Sequence, residues 1–274
     1  MHPDSAAPIG IFDSGLGGLE VYQAVRRSLP RENIIHLADS GFAPYGDRDA
    51  AFVEARTCKM ARQLVDVGVK ALVIACNTAT VVAAEKLRGL YEIPIVALEP
   101  AIKPAVAITE SKVIAVLATH RTLASVAVAR LCRLHGEGMN IILQPCRGLV
   151  EQVEKGEMQS ARTFELLRQF IDPLLQAGAD TLVLGCTHYI FLTRQIRSLV
   201  GPQVRIVESS AAVARQLVRR LNESRTLCDI NPDPREEFFT TATSMVQAGA
   251  VASQLLERLV EVRHVGQRSL KCSA

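Results

Sequence analysis

The stretch DVGVKALVIACNT at residues 66–78 aligns without a gap with the stretch QAGADTLVLGCTH at residues 176–188, at an offset of 110 (186 − 76). Each stretch has a glycine at its third position, then a short apolar run, then a cysteine followed by polar residues. A glycine here is typical of a helix end, and a short apolar run bounded by polar residues is typical of a buried strand. We therefore predict two equivalent units, with Cys76 and Cys186 at the carboxyl ends of their strands.

The same alternation of apolar strands and amphipathic helices extends through most of the chain. Strands are predicted over residues 8–13, 33–39, 71–76, 93–98, 113–119, 140–146, 181–186 and 205–209. Helices are predicted between them, with further helical stretches over about 210–225 and 245–262. Continuous apolar strands that alternate with helices indicate a parallel sheet covered on both faces, and the carboxyl ends of such strands build the site. The fold class predicted is α/β.

A second, weaker correspondence relates IGIFDS at residues 9–14 to IAVLAT at residues 114–119. With the first pair it predicts two pseudo-symmetric, doubly wound domains with mainly parallel sheets and an active site in the cleft between them. The boundaries predicted are 1–97 plus 208–274 for the first domain and 98–207 for the second. For the weaker pair the alternative stays open that any two strand–loop units of a parallel sheet look alike.

Composition and charge exclude several classes of protein. Of the 274 residues 49 % are apolar, which is ample for a buried core, whereas aromatic residues make up only 4 % and Trp is absent. The net charge is +3 and no RNA-binding motif occurs, so nucleic acid is not an expected partner. The sequence has no run of eighteen apolar residues, and its start, MHPDSAAP, lacks the apolar core of a secretion signal. We expect a cytoplasmic protein without a membrane segment.

The seven cysteines form neither a disulfide framework nor a zinc ribbon, because their number is odd and no CxxC pair occurs; they are Cys58, Cys76, Cys132, Cys146, Cys186, Cys228 and Cys272. We expect the five outside the repeat to be packing or tail residues. For the repeated pair three chemistries compete: nucleophilic catalysis with a histidine base, a redox disulfide, and proton transfer from two sides of a substrate carbon. Two-sided proton transfer is favoured because it alone explains the duplication directly.

Polar residues beside the two cysteines fit a site for an anionic substrate. Asn77 and Thr78 follow the first cysteine, and Thr187 and His188 follow the second. Asn and Thr side chains are suitable carboxylate ligands, and a histidine beside a strand-end cysteine is favoured as catalytic over structural. His36, His120 and His135 lack a comparable setting and are expected to be structural.

Another polar strand end is the motif FDSGLGG, which contains Asp13 and Ser14. Its glycines let the backbone approach a ligand closely. A nucleotide phosphate is disfavoured as that ligand, because the motif does not match GxGxxG and lacks the lysine of a P-loop.

Four motifs together, IGIFDSGLGGLEV, APYGDR, ACNTAT and LGCTHY, in this order and spacing, resemble those of the glutamate racemases, in the aspartate/glutamate racemase superfamily. The resemblance implies an isomerase that interconverts L- and D-glutamate without pyridoxal phosphate, metal or another cofactor. It also implies a role in supplying D-glutamate for peptidoglycan, hence in cell wall biogenesis and cell shape, and a possible homodimer.

The resemblance also implies residue roles. Cys76 acts on the D-enantiomer and Cys186 on the L-enantiomer, assisted by Asp13 and His188 respectively. Glu154 matches a more distant acidic position behind the site. The substrate contacts implied are Asp13, Ser14, Tyr45, Gly46, Asn77, Thr78, Thr122, Thr187 and His188, with Tyr45 and Gly46 as a backbone clamp.

The chain departs from the family pattern at four positions without losing a predicted catalytic group. Arg121 replaces a common Gly, Arg147 a common Pro, Ile190 a common Pro and Glu208 the usual Asp. These departures bear on loop geometry more than on reaction type.

Two alternatives remain beside the glutamate reaction. A racemase for aspartate or hydantoin would use the same thiols in a differently sized pocket. A binding protein that only senses an amino acid in the cleft would need neither thiol, which disfavours it.

Overall fold

The computed structural model describes residues 5–265, and in them the strands form two separate sheets in which every pairing is parallel. The larger sheet has the order β10-β9-β2-β1-β3-β4 and the smaller β6-β5-β7-β8. The strands are β1 (Ile9–Asp13), β2 (Ile34–Ala38), β3 (Ala71–Ile74), β4 (Ile95–Ala97), β5 (Val113–Ala118), β6 (Asn140–Pro145), β7 (Thr181–Leu184), β8 (Arg205–Val207), β9 (Glu236–Thr240) and β10 (Val262–His264).

Helices follow most of these strands along the chain. They are α1 (Leu19–Ser28), α2 (Ala50–Asp66), α3 (Asn77–Leu90), α4 (Ile102–Ile108), α5 (His120–Leu123), α6 (Val126–His135), α7 (Leu149–Glu154), α8 (Ala161–Gln176), α9 (Thr187–Ile190), α10 (Thr193–Val200), α11 (Ser210–Glu223) and α12 (Met245–Leu255). The predicted α/β class with parallel sheets is confirmed. No helix in residues 5–265 has the length and apolar character to cross a membrane.

Four strands of the larger sheet, in the order β2-β1-β3-β4, correspond in position and register to the four strands of the smaller sheet, β6-β5-β7-β8. In the larger sheet Ile9 of β1 lies opposite Ala71 of β3, and in the smaller sheet Ile114 of β5 lies opposite Thr181 of β7. Both the strong and the weak sequence correspondence therefore reflect real structural equivalence, because β1-β3 and β5-β7 are matched pairs. The domain boundaries drawn from the sequence stay a prediction.

Two short strands near the end of the chain were missed by the sequence analysis. β9 begins with Glu236 and Glu237, whose charge masks a strand that lies between β2 and β10. The helix predicted over 245–262 is wrong at its end, because α12 stops at Leu255 and Glu257 turns the backbone with a φ of 53°. Three residues are too few for a period to identify β10. The two strands extend the larger sheet, whereas the smaller sheet has no counterpart to them.

The apolar strands form the core of each sheet. A buried ion pair lies at the amino end of β3, opposite the end that carries Cys76. The strands β1, β3 and β7 are buried at every position. Lys70, which precedes β3, is fully buried, with Nζ 2.5 Å from Glu32 Oε2, and it donates to the backbone oxygen of Thr226. Burial of both charges is tolerated because each is paired and hydrogen-bonded.

Candidate active site

Cys76 caps the amino end of α3 directly after β3. Its Sγ accepts a hydrogen bond from the backbone N–H of Ala79 at 3.4 Å, and its S–H donates to Ser14 Oγ at 3.3 Å. The side chain is 5 % exposed. Burial raises the pKa of the Cys76 thiol, and the nearby carboxylate of Asp13 raises it further, so Cys76 is held as a thiol at neutral pH.

Asp13 lies behind Cys76, at the carboxyl end of β1. Its Oδ2 accepts the N–H of Gly18 at 2.7 Å, and its Oδ1 is 3.4 Å from the hydroxyl of Ser14, which donates to it. A hydrogen-bonded chain thus runs from the Cys76 thiol through Ser14 to the carboxyl group. Burial raises the pKa of Asp13 to about 6, although the charge of His188 acts in the opposite direction.

Cys186 occupies the N-cap position of α9 after β7, but its side chain makes no capping hydrogen bond and has a different partner. Its Sγ is 3.9 Å from His188 Nδ1, and the other ring nitrogen, Nε2, is 2.6 Å from Glu154 Oε1. Burial lowers the pKa of His188, but the hydrogen bonds to Cys186 and Glu154 outweigh it and hold the pKa well above its usual range. An imidazolium between a carboxylate and a sulfur stabilises negative charge that forms on that sulfur.

The glycines of the DSGLGG loop are needed because this loop lies against the His188–Glu154 pair. A Cβ on Gly17 would lie 2.3 Å from His188 Nδ1, and one on Gly15 would lie 2.2 Å from Glu154 Oε1. The backbone N–H of Leu16, in the same loop, donates to Glu154 Oε1 at 2.5 Å. The motif that carries Asp13 beside Cys76 therefore also fixes the acid–base pair beside Cys186.

Three threonine hydroxyls form a triangle that joins the two sheets. Thr78 Oγ1, on α3, lies 2.9 Å from Thr119 Oγ1 and 3.2 Å from Thr122 Oγ1, and these last two are 3.0 Å apart. Thr78 and Thr122 were predicted as substrate ligands, but Thr119 was missed. The weaker repeat carried the signal, since it aligns Thr119 with Ser14.

Asn77 is buried beside Cys76, and its side-chain Nδ2 has no hydrogen-bond partner among residues 5–265. A buried amide donor without a partner costs roughly 1–3 kcal/mol. The donor is therefore free to bind a ligand oxygen, which makes Asn77 a candidate ligand-binding residue.

The segment containing Tyr45 and Gly46 packs on the threonine triangle by its backbone. A Cβ on Gly46 would lie 2.6 Å from Thr119 Cβ, so only glycine allows this approach. The Tyr45 hydroxyl is committed elsewhere, because it donates to Asp39 Oδ2 at 2.5 Å. Burial and the Asp39 charge raise the pKa of Tyr45, so it stays neutral.

The other predicted residues fall as follows. Thr187 is buried at the start of α9. Ile190 ends that helix, and Glu208 accepts the backbone N–H of Ser210 at the start of α11. His36 is buried with its pKa lowered to about 3 by burial, as a structural histidine would be. Cys272 lies outside the described residues.

Cys146 was expected to be a packing residue, and it is buried in the hydrophobic core, where it also lies near Cys186. Burial raises the pKa of the Cys146 thiol, and the charge of Cys186 raises it further. Its backbone oxygen accepts the buried hydroxyl of Tyr189 at 2.8 Å. Nothing in the spacing of the cysteines indicated this proximity. Among residues 5–265 no group of three or more His, Cys, Asp or Glu side chains is placed to hold a metal ion.

Comparison with known proteins settles the family. The family model described as Asp/Glu/Hydantoin racemase matches residues 9–217. The chain belongs to this racemase family. Among its relatives, the glutamate racemase of Methylococcus capsulatus is 44 % identical over 93 % of this chain and 94 % of its own length. That of Ralstonia nicotianae is 48 % identical over 94 % of this chain and 92 % of its own.

Solved structures of family members have the same fold. A glutamate racemase isoform from Bacillus anthracis superposes with a TM-score of 0.86 at 31 % identity, covering 96 % of this chain and 98 % of that one. The Escherichia coli glutamate racemase, in complex with L-glutamate and the activator UDP-MurNAc-Ala, has a TM-score of 0.83 at 28 % identity, with coverage of 94 % and 97 %. The predicted enzyme class, an amino-acid racemase, is confirmed for this chain.

Proposed function

We propose that this racemase interconverts L- and D-glutamate by proton transfer between Cα and two thiols, without a cofactor. One observation carries the proposal. Cys76 and Cys186 occupy equivalent strand ends of two equivalent sheets, and each has its own buried acid–base partner. A single nucleophilic cysteine would leave the second cysteine and its partner without a role.

The charges of the site favour one starting state. Cys76 is held as a thiol, and the His188 imidazolium, with Nδ1 3.9 Å from Cys186 Sγ, provides a counter-charge for a thiolate formed there. From this state the Cys186 thiolate removes the Cα proton of L-glutamate, which leaves a carbanion and a Cys186 thiol. The Cys76 thiol then protonates the opposite face, which gives D-glutamate and a Cys76 thiolate. The reverse reaction begins at Cys76 and ends at Cys186, so protons and charge balance in both directions.

Glutamate is the substrate best supported, because the site offers donors for carboxylates. The unpaired Asn77 Nδ2 and the first backbone N–H groups of the fourteen-residue helix α3 lie beside Cys76. The hydroxyls of the threonine triangle can turn towards a carboxylate oxygen. The relatives described above are glutamate racemases, and the Escherichia coli structure holds L-glutamate.

The decisive experiment is incubation with either enantiomer in D₂O. Inverted glutamate should carry deuterium at Cα, because the product proton comes from a thiol that has exchanged with solvent. Cys76→Ala and Cys186→Ala should each reduce inversion at least about a thousandfold, with circular dichroism recording both directions. Full racemisation by either single variant contradicts the two-thiol assignment.

A substrate panel separates this proposal from its alternatives. Aspartate and hydantoins, supplied beside glutamate, identify a different racemase if they are turned over faster. Binding of glutamate without exchange at Cα identifies a binding protein. Assays with added pyridoxal phosphate or a chelator should match the untreated rate, since no step above uses either.

The product also suggests a cellular role. We propose that the D-glutamate supplies peptidoglycan synthesis, which the activator in the Escherichia coli structure supports, because UDP-MurNAc-Ala is a precursor of that polymer. Expression of the chain in a bacterium that requires D-glutamate should restore growth, and Cys186→Ala should not. Homodimer formation stays a prediction for analytical ultracentrifugation.

A further inference from the structure

The loop of residues 43–48, which contains the Tyr45–Gly46 clamp, is held firmly on the side of the larger sheet. Asp39, buried at the end of β2, accepts the Tyr45 hydroxyl. It also accepts two hydrogen bonds from the guanidinium of Arg56, at 2.6 and 2.9 Å. The Arg56 guanidinium lies 3.6 Å from the ring centroid of Phe42. Bidentate, buried contacts of this kind break rarely, so the loop moves with the larger sheet.

The same loop is held on the opposite side by two arginines that follow strands of the smaller sheet, the exposed Arg147 and the partly buried Arg121. Arg147 Nε lies 3.3 Å from Asp47 Oδ1, with side chains 71 % and 47 % exposed. Arg121, on α5, donates through Nε to the backbone oxygen of Arg48. Both arginines are departures from the family pattern noted in the sequence. Exposed charge pairs are weak and sensitive to salt, so the contact of Arg147 with Asp47 can form and break during turnover.

Substrate entry requires the two sides to separate. Cys76 is 5 % exposed and Cys186 7 % exposed. The loop of residues 43–48 packs against Thr119, which follows β5 of the smaller sheet. Because both thiols are buried, a glutamate reaches them only after the loop and the smaller sheet move apart.

We propose that Arg121 and Arg147 form a latch across the cleft that positions the Tyr45–Gly46 clamp over the threonine triangle and sets how often the two thiols become accessible. The two sides of the loop are held with unequal strength. The buried contacts of Asp39 keep the loop attached to the larger sheet, whereas the contacts of Arg147 and Arg121 with the loop break when the cleft opens. The role in turnover rests on the proposed racemase function, whereas the effect on thiol accessibility does not.

The test measures thiol accessibility without any substrate. The full chain is labelled with iodoacetamide, and mass spectrometry follows Cys76 and Cys186, with Cys58 as an internal reference. Arg147→Asp places two carboxylates opposite each other and should raise the labelling rate of both site thiols about two- to fivefold. Asp47→Arg should do the same, and the charge-swapped double variant should return the rate towards that of the wild type.

A surface ion pair that does not cross the cleft provides the matched control. Lys86 and Glu54 join α3 to α2 with side chains 50 % and 40 % exposed. Glu54→Lys, Lys86→Glu and their combination should leave the labelling of Cys76 and Cys186 unchanged; in these variants Cys132 replaces Cys58 as the internal reference, because the charges of Lys86 and Glu54 act on Cys58. Added NaCl should speed the labelling of the wild type but not of the Asp47→Asn/Arg147→Gln variant. Arg121→Ala should add to the effect of Arg147→Asp.

Kinetic measurements then connect the latch to turnover. Arg147→Asp should change kcat and KM together, and the swap should restore both, which a local structural defect would not do. Unchanged labelling in Arg147→Asp, or no restoration by the swap, overturns the latch. Labelling as expected in a chain that does not racemise glutamate leaves the latch intact and overturns the proposed function instead.

Discussion

The hydroxyls of Thr78 and Thr119 lie 2.9 Å apart, although the first belongs to the helix after β3 and the second follows β5 of the other sheet. This contact closes the cleft beside Cys76. Because each hydroxyl can donate or accept, the pair can exchange its mutual hydrogen bond for bonds to a substrate carboxylate. The following predictions start from this arrangement.

Thr119→Val removes one hydroxyl at nearly constant volume. We expect the KM for both glutamate enantiomers to rise about tenfold, since a hydrogen bond to a charged group contributes roughly 1.5–3 kcal/mol. Thr57→Val is the control, because Thr57 lies on α2, outside the predicted substrate contacts, and its buried hydroxyl has no hydrogen-bond partner among residues 5–265. A KM within twofold of the wild-type value for Thr119→Val argues against a substrate contact.

Asn77→Leu should separate stability from activity. Loss of an unpaired buried donor should leave the free energy of unfolding unchanged or raise it by up to about 2 kcal/mol, while kcat/KM falls at least about tenfold. Denaturant unfolding and steady-state kinetics give the two quantities. Asn33→Leu is the control. The Asn33 amide donates to the backbone oxygen of Ala6 and accepts from the backbone N–H of Arg235, so its loss should lower the free energy of unfolding and leave kcat/KM unchanged. A marked loss of stability in Asn77→Leu would show that the amide is structural.

Asp13→Asn should stabilise the protein near neutral pH. The pKa of about 6 in the folded state lies above the ordinary value of 3.8 for an aspartate, so the folded state binds more protons between these values and stability falls as pH rises through that window. The cost at pH 7 is on the order of 3 kcal/mol. The variant should therefore gain stability relative to the wild type from pH 4 to pH 7, and lose racemase activity.

The control for this pH dependence has the opposite sign. Hydrogen bonds from Thr109 and from the N–H groups of Ser111 and Glu110 outweigh burial and lower the pKa of Asp180. Its contribution to stability is present at neutral pH and is lost as the pH falls. Asp180→Asn should therefore destabilise the protein most at neutral pH. A stability difference for Asp13→Asn that does not change between pH 4 and 7 contradicts the raised pKa.

Glu154→Gln should shift the pH dependence of catalysis. The carboxylate helps to raise the pKa of His188, so its loss lowers that pKa and the imidazolium disappears at a lower pH. The alkaline limb of the kcat/KM profile should move to lower pH, with a loss of at least about tenfold at pH 8. Glu151→Gln, one turn earlier on α7, is the control and should keep the wild-type profile. An unmoved alkaline limb would mean that His188 does not act as an imidazolium.

Much of the site could be predicted from the sequence because its main groups sit at strand ends. The parallel strands β3 and β7 are buried throughout, so their apolar runs and terminal cysteines are visible in the sequence. The glycines around Asp13 were visible too, although their reason, close contact with His188 and Glu154, was not. Local pattern determines these elements, and tertiary contacts add little to their recognition.

The rest depends on how distant segments meet. Cys146 comes near Cys186 because β6 and β7 flank β5 in the smaller sheet, and the contact of Arg147 with Asp47 arises only when the two sheets come together. Residue spacing contains no information about either contact. β9 was missed because its first two residues are acidic, although its partners in the sheet cover it on both sides. Pairing with neighbours outweighs local propensity in such short strands.

The unequal partners of the two cysteines, a carboxyl group on one side and an imidazolium on the other, limit what this enzyme can gain from its asymmetry. Mirror-image amino acids have equal free energies in water, so an enzyme that interconverts them obeys an overall equilibrium constant of one. The ratio kcat/KM must therefore be the same in both directions. If the enzyme has a lower KM for one enantiomer, its kcat for that enantiomer must be lower by the same factor. The difference between the two sides can decide which complex accumulates, but never which enantiomer prevails.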